Sequence, residues 1–117
     1  MTDPSLKLIV LKTPDTQSLR QFYTHMGFRF VEEQHGNGPI HCSAAFGSGV
    51  LEIYPLPDGA GANATTGLGF GVANLQSILI GLGHDGTPKQ TAWGLRAVVR
   101  DPDGRAVELY ETIGSES

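Results

Sequence analysis

The sequence holds one cysteine, one tryptophan and two methionines. A single thiol closes no disulfide within the chain and builds no zinc–thiolate cluster. Cys42 has no nucleophile context around it and reads as a small buried hydrophobe. Charge is also scarce, at 17% of residues, with a net value of −4. Phosphate binding needs clustered cations, so a nucleic-acid partner is not expected. Long apolar runs are missing. Leu8 to Leu11 is far too short for a membrane span or the core of a signal peptide. The expectation is a cytoplasmic protein with no membrane partner. Asn63-Ala64-Thr65 matches a glycosylation sequon, which matters only in a secreted chain.

Glycine is plentiful, with 16 among 117 residues, and hydrophobic residues make up 39%. That length suits one domain with a real core. Leu6 to Leu11 reads as a strand broken by Thr13-Pro14-Asp15. Asp15 suits the N-cap of a helix whose apolar face is Leu19, Phe22, Tyr23 and Met26. Gly27 suits its C-terminal end. Strands are predicted over Phe28 to Glu33, Ile40 to Phe46 and Val50 to Tyr54, separated by two glycine-rich turns. Residues 57–66 read as a linker without periodicity. The order then restarts: a strand from Gly67 to Val72, then a helix capped by Asn74. Strands follow near Lys89 to Trp93, Leu95 to Arg100 and Ala106 to Glu111. Asp101-Pro102-Asp103-Gly104 marks a tight turn and suggests no role beyond it.

The two halves also share residues. Val50-Leu51-Glu52-Ile53-Tyr54 matches Ala106-Val107-Glu108-Leu109-Tyr110 at an offset of 56 positions, and Met26-Gly27-Phe28 matches Leu82-Gly83-His84 at the same offset. A repeat of this period implies two copies of one supersecondary unit.

Two segments carry a family resemblance. Phe22-Tyr23 with Met26-Gly27-Phe28 resembles the end of the first helix in the vicinal oxygen chelate superfamily, the glyoxalase, bleomycin-resistance and extradiol dioxygenase group. Asp101-Pro102-Asp103-Gly104 with Glu108-Leu109 resembles that group's C-terminal hairpin. The resemblance spans about Leu6 to Glu111. It implies an α+β fold of two βαβββ modules, about 6–56 and 67–111, curled around a cleft within a single domain 1–117. It further implies up to four metal ligands, two per module: a His or Gln on the first strand and a Glu on the last. Glu52 and Glu108 match the glutamates. The first-strand positions fall on Leu8 and Gly67, and neither strand holds a donor within a residue of them.

A catalytic divalent ion needs about three protein ligands and an open position. No cofactor is therefore expected, and a divalent metal is disfavoured. If one binds, Glu52, Glu108 and His41 are its candidate ligands. Strand alternation sends Leu51 and Ile53 to the core and Glu52 and Tyr54 to the other face. The expected ligand-binding residues are Glu52, Glu108, Tyr54, Tyr110, Arg96, Val98, Trp93, Val10 and Gly69, with Arg96 or Arg100 pairing the glutamates. Gly67, Gly69 and Gly71 would leave that face bare, with room for a flat ligand or for Trp93 or Tyr110. The resemblance points to a small-molecule-binding homodimer without a catalytic metal. The alternative it leaves open is a metal-dependent lyase, isomerase or dioxygenase acting on a small oxygenated substrate. Fold alone does not choose between them.

Overall fold

A computed structural model of the protein describes residues 3–57 and 59–111. The outer limits of the expected domain and linker position 58 lie outside these residues. The chain divides into two compact units, Met1–Ala62 and Asn63–Ser117. Each has one helix and a four-stranded mixed sheet in βαβββ order, the α+β module predicted from the sequence. Among the described residues no helix is long and apolar enough to cross a membrane.

In the first unit β1 (Leu8–Thr13) leads into α1 (Thr16–Thr24), then β2 (Val31–Glu33), β3 (His41–Phe46) and β4 (Gly49–Pro55). The sheet order is β1-β4-β3-β2, with β1 parallel to β4 and the other pairs antiparallel. Asp15 caps α1: its carboxylate accepts hydrogen bonds from Ser18 N at 3.1 Å and Ser18 Oγ at 2.7 Å. Those bonds hold the Asp15 carboxyl below its ordinary pKa. Gly27 follows the helix at φ +114°, where a side chain would be strained. Leu19, Phe22 and Tyr23 form the buried helix face, and α1 packs on β4, whose Leu51 and Ile53 are fully buried, and on β1.

β2 starts at Val31, three residues later than predicted. Phe28 is drawn into the core instead, with its ring 6.0 Å from Tyr23 and 6.2 Å from Phe46. The carbonyl of Phe30 accepts a hydrogen bond from Arg20 Nη2 at 3.2 Å rather than from a neighbouring strand. Aromatic burial thus outweighs strand pairing over these residues.

The second unit holds β5 (Leu68–Gly71), α2 (Leu75–Gly81), β6 (Lys89–Thr91), β7 (Gly94–Arg100) and β8 (Ala106–Glu111), with sheet order β5-β8-β7-β6. Asn74 Oδ1 caps α2 by accepting from Ser77 N at 3.2 Å. Glu111 Oε1 accepts a second free N–H, from Leu75, at 2.7 Å. β6 stops at Thr91 because Ala92-Trp93 make the hairpin turn. Gly94 takes φ +118° there, and Thr91 Oγ1 accepts from Trp93 N at 3.1 Å. α2 packs on β8, and Leu75, Ile78 and Leu79 are buried together with Val107 and Leu109 of that strand and Val99 of β7.

Candidate functional site

The strand registers put Val10, Glu52 and Tyr54 of the first unit, and Gly69, Arg96, Val98, Glu108 and Tyr110 of the second, on the face away from the helix of their own unit, while Trp93 lies in the β6–β7 turn. In the first unit Glu52 sits between Val10 on parallel β1 and Ser43 on antiparallel β3. In the second, Glu108 sits between Gly69 and Val98. These registers refine the position of a first-strand ligand. The residues across from the glutamates are Val10 and Gly69, each two places beyond Leu8 and Gly67 and, by alternation, on the same face. Leu8 instead lies across from Val50, and Gly67 precedes β5. Valine and glycine offer no side-chain donor, so each unit supplies one carboxylate without its strand partner. The residues present do not fit a four-ligand metal site of the expected kind.

The two glutamates differ in their surroundings. Arg96 Nε donates to Glu108 Oε1 at 3.3 Å and to Tyr110 Oη at 3.1 Å, while the Tyr110 hydroxyl donates to the same Oε1 at 2.8 Å. The Tyr110 hydrogen bond, then that of Arg96, holds the Glu108 carboxyl below its ordinary pKa, so it is ionised at neutral pH. The same contacts raise the pKa of Arg96. Both side chains are more than a third exposed, so solvent screens the pair and it adds little to stability. Arg100 does not take part; its Nη1 donates to Gly104 O at 3.1 Å. Glu52 has no hydrogen bond or ion pair among the described residues and remains an open carboxylate.

Aromatic rings flank both glutamates. Trp93 is 73% exposed at the β6–β7 turn, and its ring meets Tyr110 edge to face at 5.9 Å. A Cβ built on Gly69 would touch only Glu108, at 3.8 and 3.9 Å, so neither Trp93 nor Tyr110 fills the space above that glycine. In the first unit Tyr54 stacks on His41 with ring centroids 4.1 Å apart and planes within 9°. Burial, then the charges of Glu52 and Glu33, push the Tyr54 phenol up, so it stays protonated at neutral pH.

His41 is not partnered by Glu52. It lies across from Glu33, and the carboxylate of Glu33 reaches its Nε2 at 3.3 Å. Glu33, His35 and His41 form a partial, three-residue cluster of metal-ligating groups among the described residues. The sequence reading missed Glu33 and His35. The available signal was Glu33-x-His35 ahead of the Gly36-Asn37-Gly38 turn, which folds β3 back across β2.

A groove of about 630 Å³ opens on the helix side of the first unit, above Cys42 and Ile53 and beside Arg20, Gln21, Thr24 and Glu32. Burial pushes the Cys42 thiol up, which keeps it an unreactive thiol at neutral pH. The buried, structural reading of Cys42 fits this setting.

Two βαβββ modules, each with a glutamate on the helix-free face of its last strand, define the class of protein. The chain belongs to the Glyoxalase/Bleomycin resistance protein/Dioxygenase superfamily, whose model matches residues 5–109. Among solved structures it is similar to TnmS3, an antibiotic binding protein from Streptomyces sp. CB03234. The TM-score is 0.71 at 22% identity, covering 96% of this chain and 98% of that one. It is also similar to a lactoylglutathione lyase from Agrobacterium tumefaciens, with a TM-score of 0.66 at 15% identity, covering 95% and 96%. At such identities the likeness carries the fold and not the activity. No curated protein is significantly similar in sequence.

Proposed function

We propose that this protein binds a small, flat organic molecule on the helix-free sheet faces, without a catalytic metal at the family's usual position. One observation carries the reading: Val10 and Gly69 stand where ligand donors would be needed, while Glu52 stays open. The residues assigned to binding are Glu52, Tyr54 and Val10 of the first unit and Glu108, Tyr110, Arg96, Val98, Trp93 and Gly69 of the second. Apolar and aromatic walls with a few polar groups are the usual make-up of such sites. An unpaired carboxylate beside stacked rings suits a ligand with a cationic or N–H donor group. The description of TnmS3 as an antibiotic binding protein supports an organic ligand of this kind.

The test is a thermal-shift screen of aromatic metabolites and antibiotics in the presence of EDTA, followed by titration of the hits. Glu52→Gln is expected to weaken a hit at least tenfold with the melting temperature nearly unchanged. Glu108→Gln is expected to weaken it less, because Arg96 and Tyr110 already engage that carboxylate. Hits that bind only with added metal, or binding untouched in both variants, would sink the reading.

We also propose a homodimer located in the cytoplasm. Leu8 and Val10 are 52% and 40% exposed, two residues apart on one face of the edge strand β1. Exposed apolar side chains on an edge strand suit an association site, and twofold dimers are the commonest oligomers. Light scattering at micromolar concentration should return twice the 12.4 kDa chain mass. A monomeric mass would refute the assembly.

A further inference from the structure

We propose that Glu33, His35 and His41 form an exchangeable binding site for a borderline divalent cation, zinc or a close relative, on the β2–β3 hairpin. This goes beyond the ligand-binding reading and uses neither Glu52 nor Glu108.

The geometry suits an ion better than a simple ion pair. Glu33 Oε1 lies 3.3 Å from His41 Nε2 and 3.8 Å from His35 Nε2. All three ligand atoms lie within 4.8 Å of one another. With zinc–ligand bonds near 2.0–2.1 Å, tetrahedral donors stand about 3.3 Å apart, so small side-chain shifts close the site. One carboxylate oxygen thus faces two imidazoles whose ring centroids are 5.1 Å apart, three donors converging on one point.

The surroundings prepare the donors. The Nδ1 of His41 lies 3.3 Å from Pro39 O, while Nε2 lies 3.3 Å from both Glu33 Oε1 and Tyr54 Oη; in the tautomer that donates from Nδ1 to Pro39 O, Nε2 carries the lone pair an ion would take, with the Tyr54 hydroxyl free to turn away. Stacking on Tyr54 fixes the ring plane, and the His41 side chain is only 1% exposed. His35, at 74%, leaves the site open to solvent. The hairpin itself is held by Gly38 N donating to His35 O at 2.9 Å and Gln34 Nε2 donating to Gly38 O at 2.9 Å. Two imidazoles and one carboxylate form a ligand set that zinc takes with a fourth position open, and one that cobalt(II), nickel(II) and copper(II) also accept. With three ligands, one of them exposed, the ion should exchange readily.

The experiment is a titration of EDTA-treated, dialysed full chain with cobalt(II), read by its visible absorption, followed by displacement with zinc. One cobalt per chain is expected, with the stronger bands of four- or five-coordinate geometry. His35→Ala and Glu33→Gln should each raise the dissociation constant at least tenfold. Both positions are at least 37% exposed, so the fold should survive, and circular dichroism checks that it does. Glu52→Gln should leave cobalt affinity within twofold. Unchanged affinity in His35→Ala and Glu33→Gln, absence of a saturable one-to-one signal, or loss of cobalt on Glu52→Gln would each overturn the proposal. Failure of the organic-ligand screen would leave this titration unaffected.

Discussion

Arg105→Ala is expected to cost about 3–5 kcal/mol, because it leaves a buried carboxylate without its cation. Arg105 is 2% exposed and Asp101 3% exposed. Arg105 Nη1 donates to Asp101 Oδ2 at 3.0 Å and to Asp103 Oδ2 at 3.1 Å. Asp101 Oδ1 meanwhile accepts from the backbone N–H of Asp103 at 2.9 Å and of Arg105 at 3.1 Å. The turn is therefore tied by one carboxylate that holds both backbone and guanidinium. Its loss loosens the β7–β8 connection, where Asp101 N also donates to Arg105 O at 3.0 Å. For a chain of this size the melting temperature should fall by roughly 10 °C or more. Arg105→Lys should fall between the wild type and alanine, since it keeps a cation for the carboxylates but is shorter and lacks the guanidinium's remaining N–H donors. Urea unfolding at neutral pH measures all three. A loss below about 1 kcal/mol for alanine would show that the pair is no net stabiliser, an outcome known for other buried ion pairs.

That network also shows where sequence reading stops. Asp101-Pro102-Asp103-Gly104 was legible as a turn from proline and glycine alone, and Gly104 does take φ +91°. The burial of Arg105 was not legible. Charged residues are almost never fully buried unless paired, and the pairing here depends on how the turn points two carboxylates inward. The same division applies to the candidate site. The faces of Glu52 and Glu108 follow from alternation, a local property of each strand. Register sets Arg96 and Arg100 at equal steps either side of Val98, the residue across from Glu108; what separates them is the residue each faces, since Tyr110 offers Arg96 a hydroxyl and Ala106 offers Arg100 nothing. The pairing of His41 with Glu33 likewise depends on the hairpin register. Turn glycines announce a hairpin but do not number its pairs.

Leu51→Ala and Glu52→Gln test that alternation directly, because adjacent residues should differ several-fold in their effect on stability. Leu51 is fully buried. Its strand neighbours are Ile9 on β1 and Ala44 on β3, and the helix face of Leu19, Phe22 and Tyr23 covers this side of the sheet. Removing its branched end deletes apolar burial and leaves a cavity that small neighbours such as Ala44 cannot fill. The expected cost is about 2–5 kcal/mol. Glu52 lies one residue on, with its carboxylate on the opposite face and no hydrogen bond or ion pair among the described residues. Glutamine keeps its shape and removes only the charge, so stability should change by less than about 0.5 kcal/mol. Denaturant midpoints for the two variants, compared at constant slope, measure the difference. A Glu52→Gln loss approaching that of Leu51→Ala would mean that the carboxylate serves the fold. The proposal that Glu52 is kept for a ligand would then lose its physical basis, since a residue free of structural duty is what that proposal requires.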